Sequence, residues 1–352
     1  MWRDSPPKGL ARAVLRGLVI AAGLLSTRAA SGRADPIDVH GFVRVGGIQQ
    51  WVAIRGEHPS APVILVVHGG PGAAWSGFPD SVLAWEHDFR VVRWDQRGAG
   101  LTYGRSGPVG ADVTIDRMAR DGIEVAEYVR SELHVDRILL MGISWGSVVG
   151  VRMAKLRPDL FAAYIGVGQV VNWPRGQRLE YAQLMHKARV AQDSASIRAL
   201  QEIGPPPYHA QGALGVMSNL AARFEPGAPG RRALLKMPFS APGYSAADAQ
   251  NWLDGLESSQ DHFIGKAMDG PFTRVDLARL GLHFELPVFI VQGSADDIAP
   301  ASLARSYLRS IRAPHAEYLS IAGAGHYAFM TRSQEFQQLL LRHVRPLATS
   351  SR

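Results

Sequence analysis

The chain has 352 residues, enough to bury a large core, and it contains no cysteine, which excludes disulfide staples, thiolate metal sites and a cysteine nucleophile. Its 38 Lys and Arg against 31 Asp and Glu give a formal charge of +7. Residues 1–34 hold six of the basic groups and one of the acidic ones, leaving 32 against 30 over the other 318 residues, a balance that gives no reason to invoke nucleic acid or an anionic surface.

The leader carries Arg3, Lys8, Arg12 and Arg16, then the apolar run Gly17 to Leu25, then small residues through Ala34. This is the pattern of a secretory signal peptide over residues 1–34, with cleavage after Ala29 or Ala34, so export to the periplasm or medium is expected. The apolar run is too short for a comfortable membrane span, although an uncleaved anchor that also uses Ala11 to Leu15 is an alternative reading, and no stable membrane partner beyond the export leader is expected.

Two short strands, Phe42 to Val45 and Gln49 to Ile54, are predicted to form a hairpin around Gly46-Gly47. Strand–loop–helix units follow. Val63 to Val67 is a β-branched run ending in His68-Gly69-Gly70-Pro71-Gly72, and Phe89 to Trp94 ends in Asp95-Gln96-Arg97-Gly98. Between Thr114 and Leu133 the spacing of Ile115, Met118, Ile123, Ala126 and Val129 predicts a helix. The next strand, Ile138 to Met141, runs into Gly142-Ile143-Ser144-Trp145-Gly146, and Phe161 to Val167 is one more.

From about Gln169 to about Leu280 strand runs are absent. Helical stretches such as Gln177 to Ala191 and Ser194 to Glu202 alternate with turn clusters at Gly204-Pro205-Pro206-Pro207 and from Glu225 to Gly230. An insertion of this length between two strands is expected to be a lid over the active-site edge. Two final units follow, a strand from Leu286 to Gln292 ending in Gly293-Ser294-Ala295-Asp296-Asp297, and a strand from Ala316 to Ile321 ending in Gly323-Ala324-Gly325-His326. A closing amphipathic helix spans Gln334 to Val344.

The pentapeptide around Ser144 reads as a nucleophile elbow. Small residues two positions either side let a strained strand-to-helix turn close, and the serine hydroxyl is left exposed at a helix start. A serine hydroxyl is a weak nucleophile until an imidazole takes its proton and a carboxylate orients that imidazole. His326 and Asp296 stand at later strand ends, in the chain order Ser, Asp, His of an α/β-hydrolase. The Gly-x-x-Asp spacing from Gly293 selects Asp296, and Asp297 reads as a solvated or capping residue ahead of Pro300. The amides of Gly70 and Trp145 are the expected oxyanion donors. His68 reads as structural, and Asp95 beside Arg97 as a pair that fixes a loop.

The predicted fold is an α/β-hydrolase with a mostly parallel central sheet and a helical cap inserted after the sixth strand. The core is assigned to residues 35–168 and 281–352, and the cap to residues 169–280. There is no P-loop, no H-E-x-x-H and no dinucleotide fingerprint after a strand, so neither a cofactor nor a metal is expected. The expected partner is a small-molecule or short-peptide substrate.

The motifs H-G-G-P-G at 68–72, W-D-Q-R-G-A-G at 94–100 and G-I-S-W-G-S at 142–147, with Gly325-His326 near the end, resemble those of the prolyl aminopeptidase (proline iminopeptidase) group. The resemblance spans about Gly41 to Val344. It implies a metal-free Ser-Asp-His triad that cleaves an N-terminal proline from small peptides, and the expected activity is an aminopeptidase that releases N-terminal proline or another small residue through an acyl-enzyme. It also implies cap carboxylates that hold the free amino terminus, for which Glu180 and Glu202 are candidates, although each also reads as a solvated helix residue. The same triad suits an esterase or lactonase, since fold and triad do not set the substrate.

Overall fold

The computed structural model describes residues 35–79, 85–225 and 228–349. The expected leader, residues 1–34, lies outside the described residues.

Eight strands form one sheet: β1 (Ile37–Val45), β2 (Ile48–Gly56), β3 (Val63–Val67), β4 (Arg90–Trp94), β5 (Ile138–Ile143), β6 (Phe161–Val167), β7 (Val288–Gly293) and β8 (Ala316–Ile321). Their order is β1-β2-β4-β3-β5-β6-β7-β8. The first two strands form an antiparallel hairpin in which Val45 faces Ile48, and its two-residue turn puts Gly46 and Gly47 at φ +55° and +84°. β2 meets β4 antiparallel, and every later pairing is parallel. All residues of β3, β5, β6 and β7 are buried, as a parallel sheet covered on both faces requires.

The two-residue alternation of the strands divides the core into two layers. Val63, Leu65 and Val67 join Leu140 and Trp145 on one face, while Ile64 and Val66 join Leu139 and Met141 on the other. The helices of the first half are α1 (Gly100–Ser106), α2 (Ile115–Leu133) and α3 (Trp145–Leu156). Thr114 caps α2 by accepting from the Arg117 amide.

Between β6 and β7 the chain leaves the sheet and builds the cap from α4 (Trp173–Val190), α5 (Ser194–Ile203), α6 (Gly212–Phe224), α7 (Arg231–Leu234) and α8 (Ala246–Phe263). Leu184, Leu200, Met217 and Leu220 give the cap a small core of its own. α4 starts earlier than its apolar spacing predicts because Asn172 accepts from the Arg175 amide and Pro174 fits the first turn. A reciprocal Ser245–Asp248 capping box starts α8. After β7 come α9 (Ala301–Ser310), α10 (Ala328–Thr331) and α11 (Ser333–Leu339). The predicted closing helix continues past α11 as a π-helical turn over Leu340–Val344 and then α12 (Arg345–Thr349). Among the described residues, no helix is long and apolar enough to cross a membrane.

Candidate active site

Ser144 sits where β5 turns into α3, with φ +52° and ψ −118°, a backbone conformation disfavoured for a residue with a side chain. Its amide is tied to the Val167 carbonyl at 2.9 Å. The flanking glycines are steric requirements. A Cβ on Gly146 would lie 2.0 Å from the Val67 carbonyl oxygen, and one on Gly142 would lie 2.5 Å from that of Gly146.

His326 follows β8 and is 7% exposed. Its Nδ1 lies 2.9 Å and 3.1 Å from the two carboxylate oxygens of Asp296, which is 2% exposed in the loop after β7. A carboxylate accepts, so Nδ1 carries the proton and Nε2 is left with a lone pair. Asp296 is itself held by the Gln292 side-chain amide at 2.7 Å and the Ala299 amide at 2.8 Å. Burial pushes the His326 pKa down, but the Asp296 charge and hydrogen bond, with the Glu225 charge, outweigh it and the net shift is upward.

Ser144, His326 and Gly70 all line one cavity of about 530 Å³ between the sheet edge and the cap. Gly70 has φ +116°, and a Cβ there would lie 2.6 Å from the Gly72 nitrogen. The amides of Gly70 and Trp145 have no acceptor among the described residues.

The Asp95-Gln96-Arg97 segment braces this region from below. Buried Asp95 accepts from the Ser76 hydroxyl and amide and from the Leu101 amide at 2.9 Å, while burial pushes its pKa up to about 6. Gln96 donates to the His68 carbonyl at 2.9 Å and accepts from the Trp145 indole at 3.0 Å, joining the loop after β3 to the start of α3. Arg97 pairs with Asp121 at 2.9 Å and donates to the Gly46 carbonyl at 2.8 Å. His68 is a structural imidazole. It is buried, its Nδ1 meets the Gly69 carbonyl at 2.9 Å, and burial lowers its pKa to about 4.

The two cap glutamates separate. Glu180, on α4, is 3% exposed, lines the cavity and accepts from Gln177 at 2.9 Å. Burial, then the charges of Asp297 and Asp296, push its pKa well above the usual carboxylate range. Glu202 is exposed on α5 and is not among the residues that line the cavity, so the structure does not bring this binding candidate to the site. Asp297 is also corrected. Instead of being solvated or capping, it is buried and ion-paired with Lys187 of α4.

Glu225, at the end of α6, escaped the sequence reading. Its carboxylate accepts from three consecutive amides, those of Gly325 at 3.1 Å, His326 at 3.0 Å and Tyr327 at 3.2 Å. The cap thereby holds the loop that carries the imidazole, and a Cβ on Gly325 would strike this carboxylate at 2.2 Å. Replacing Glu225 with glutamine sets an NH₂ group against amide donors. Because small misplacements of a reacting group are costly, kcat/KM is expected to fall about 10- to 100-fold. Steady-state kinetics of the purified variant, with circular dichroism as the folding control, measures it, and an unchanged kcat/KM would remove this role.

These features define a hydrolase of the α/β-hydrolase class, and the chain belongs to the alpha/beta hydrolase fold family, which it matches over residues 62–333. Within that class it is similar to a probable aminopeptidase of Bacillus subtilis (strain 168), 26% identical over 308 residues that cover 86% of this chain and 94% of the relative. It is also similar to a probable proline iminopeptidase of Streptomyces coelicolor, 27% identical over 282 residues, 74% of this chain and 82% of the relative. The solved proline iminopeptidase of Mycobacterium smegmatis shares the fold with a TM-score of 0.64 at 18% identity, over 88% of this chain and 99% of that one. An esterase from Thermogutta terrifontis shares it with a TM-score of 0.53 at 19% identity, over 88% of this chain and all of that one.

Proposed function

We propose that this protein is a serine aminopeptidase that releases an N-terminal proline or another small residue from short peptides. His326 Nε2 takes the Ser144 proton as Oγ attacks the scissile carbonyl, and Asp296 keeps the imidazole in the required tautomer and stabilises the imidazolium. The oxyanion is met by the Gly70 and Trp145 amides. The imidazolium then protonates the leaving amine, and water attacks the acyl-enzyme with His326 again as base.

The observation that carries the substrate class is the polar end of the cavity. A buried carboxylate, Glu180, stands there beside the Gln177 side-chain oxygen, which has no hydrogen-bond partner among the described residues. A substrate ammonium supplies what both lack: a positive charge for the first and a donor for the second. A bound cation opposes the burial and like charges that raise the Glu180 pKa, and so favours the ionised carboxylate. A neutral ester brings no cation to Glu180 and no donor to the Gln177 oxygen, in a dry pocket.

The test is Glu180→Gln assayed on a free amino-terminal anilide and on its N-acetylated form. Removing one partner of a buried charge pair is expected to lower kcat/KM for the free amine about 100-fold or more, and to leave the acetylated compound nearly unaffected. Equal loss on both compounds would take Glu180 out of amine recognition. The leader over residues 1–34 supports export of this hydrolase, which N-terminal sequencing of protein recovered from periplasm or medium checks.

A further inference from the structure

The end of the sheet opposite Ser144 carries a second cluster of reactive groups that hydrolysis does not use. Glu57 and His58 follow β2, and His87 stands shortly before β4. Because β2 runs antiparallel to β4, with Arg55 facing Val91, the end of one strand meets the start of the other. The Glu57 amide donates to the Glu86 carbonyl at 2.9 Å, which pins the two segments together. One ligand atom from each of Glu57, His58 and His87 can be chosen so that all lie within 4.8 Å of one another. The imidazole planes of His58 and His87 meet edge to face, with centroids 5.3 Å apart.

We propose that Glu57, His58 and His87 form a binding site for a borderline divalent transition metal, with Zn²⁺ as the type ion. Two imidazoles and one carboxylate are the donor set that suits Zn²⁺, Co²⁺ or Ni²⁺ and disfavours Mg²⁺ and Ca²⁺, which take all-oxygen ligands. Zinc–ligand bonds of about 2.0–2.2 Å place tetrahedral ligand atoms about 3.3 Å apart. Glu57 and His87 are exposed and His58 half-buried, so side-chain rotation closes the difference without moving the sheet. Asp88 lies 3.4 Å from His87 Nδ1 and is itself held by the Gln337 side chain at 2.5 Å. It supplies the carboxylate that commonly orients a metal-bound imidazole. Three protein ligands leave the fourth position to water.

The site lies apart from the hydrolytic chemistry. Ser144 lies beyond the C-terminal end of β5, and these ligands lie beside the N-terminal ends of the parallel strands, about 20 Å away along the strands at about 3.3 Å of rise per residue. A metal there ties the β2–β3 connection to the segment that enters β4. It does not reach the substrate.

The test uses the full chain, stripped with chelator and titrated calorimetrically with ZnCl₂, then with CoCl₂ followed by visible absorption. The expected result is a saturable equivalent with a tetrahedral Co²⁺ spectrum, weakened at least tenfold in both His58→Ala and His87→Ala. Hydrolysis of a reporter ester or anilide stays unchanged in these variants, which also shows that they fold. Should wild type show no saturable binding, or should both variants keep the wild-type affinity and spectrum, the proposal is overturned. Among the chain's twelve histidines, any other weak site survives both substitutions and is distinguished in this way.

Discussion

Replacing Ser144 with alanine is expected to lower kcat by about 10⁴-fold or more while leaving KM within a few-fold of wild type. In the proposed mechanism, alanine at 144 removes the atom that forms the acyl bond. It keeps the turn, because the strained φ of +52° is imposed by Gly142, Gly146 and the Ser144 amide bond to Val167 rather than by the hydroxyl. The variant is therefore expected to fold, bind substrate and fail to turn it over. Residual rate above that of water would come from the Gly70 and Trp145 amides and from binding in the cavity. Burst kinetics with an activated ester separates this outcome from a binding defect. A variant that retained both the burst and the full steady-state rate would place the nucleophile elsewhere.

The second large effect is expected from Asp296→Asn. The asparagine fits the same space, but its NH₂ group can face His326 Nδ1 and favour the tautomer with the proton on Nε2, which cannot accept from serine. A loss of about 10⁴-fold in kcat follows at neutral pH. The variant carries a second signature. Asp296 is the main group that raises the His326 pKa against the opposing effect of burial, so its charge favours the imidazolium. With His326 as the proposed base, wild-type activity is expected to fall as the pH drops through the raised His326 pKa, because the protonated imidazole is no base. Without the carboxylate charge that acid limb moves to lower pH. A kcat/KM profile from about pH 4 to 9 shows it, and an acid limb that stays in place would mean that Asp296 does not set the imidazole's charge.

What could be read from the sequence was local in origin. The buried runs of β3 and β6 were placed to the residue, because a parallel strand covered on both faces is apolar throughout. The elbow was legible because its glycines answer contacts made within a few residues and with the neighbouring strand. β1 begins at Ile37, before its expected start, because most of that edge strand is exposed and its residues show little apolar alternation. Its length comes from pairing with β2 as far as Gly56.

The partners of the imidazole loop were less legible because they come from the cap. Glu225 touches residues about a hundred positions away, and in the sequence it is one more polar residue at the head of a proline–glycine turn. Asp297 is buried by the approach of Lys187 from α4, and nothing within its own loop signals that. Glu180 and Glu202 sit in helical runs of similar character. Only the packing of α4 over the Asp296 loop distinguishes them, burying the first and leaving the second in solvent. Two helix starts did carry a signal that apolar spacing alone passes over: Asn172 with Pro174, and Ser245 with Asp248.

The proposed aminopeptidase activity requires a free α-amino group on the substrate. The most direct measurement is kcat/KM of the full chain on proline anilide, on N-acetylproline anilide and on a short-chain aryl ester, with Ser144→Ala as the blank. The aminopeptidase reading predicts a kcat/KM for proline anilide about 100-fold or more above that of its acetylated form, since acetylation removes the cation that Glu180 and Gln177 await. Turnover of the ester with no cleavage of either anilide would contradict it, leaving a serine hydrolase whose substrate is an ester.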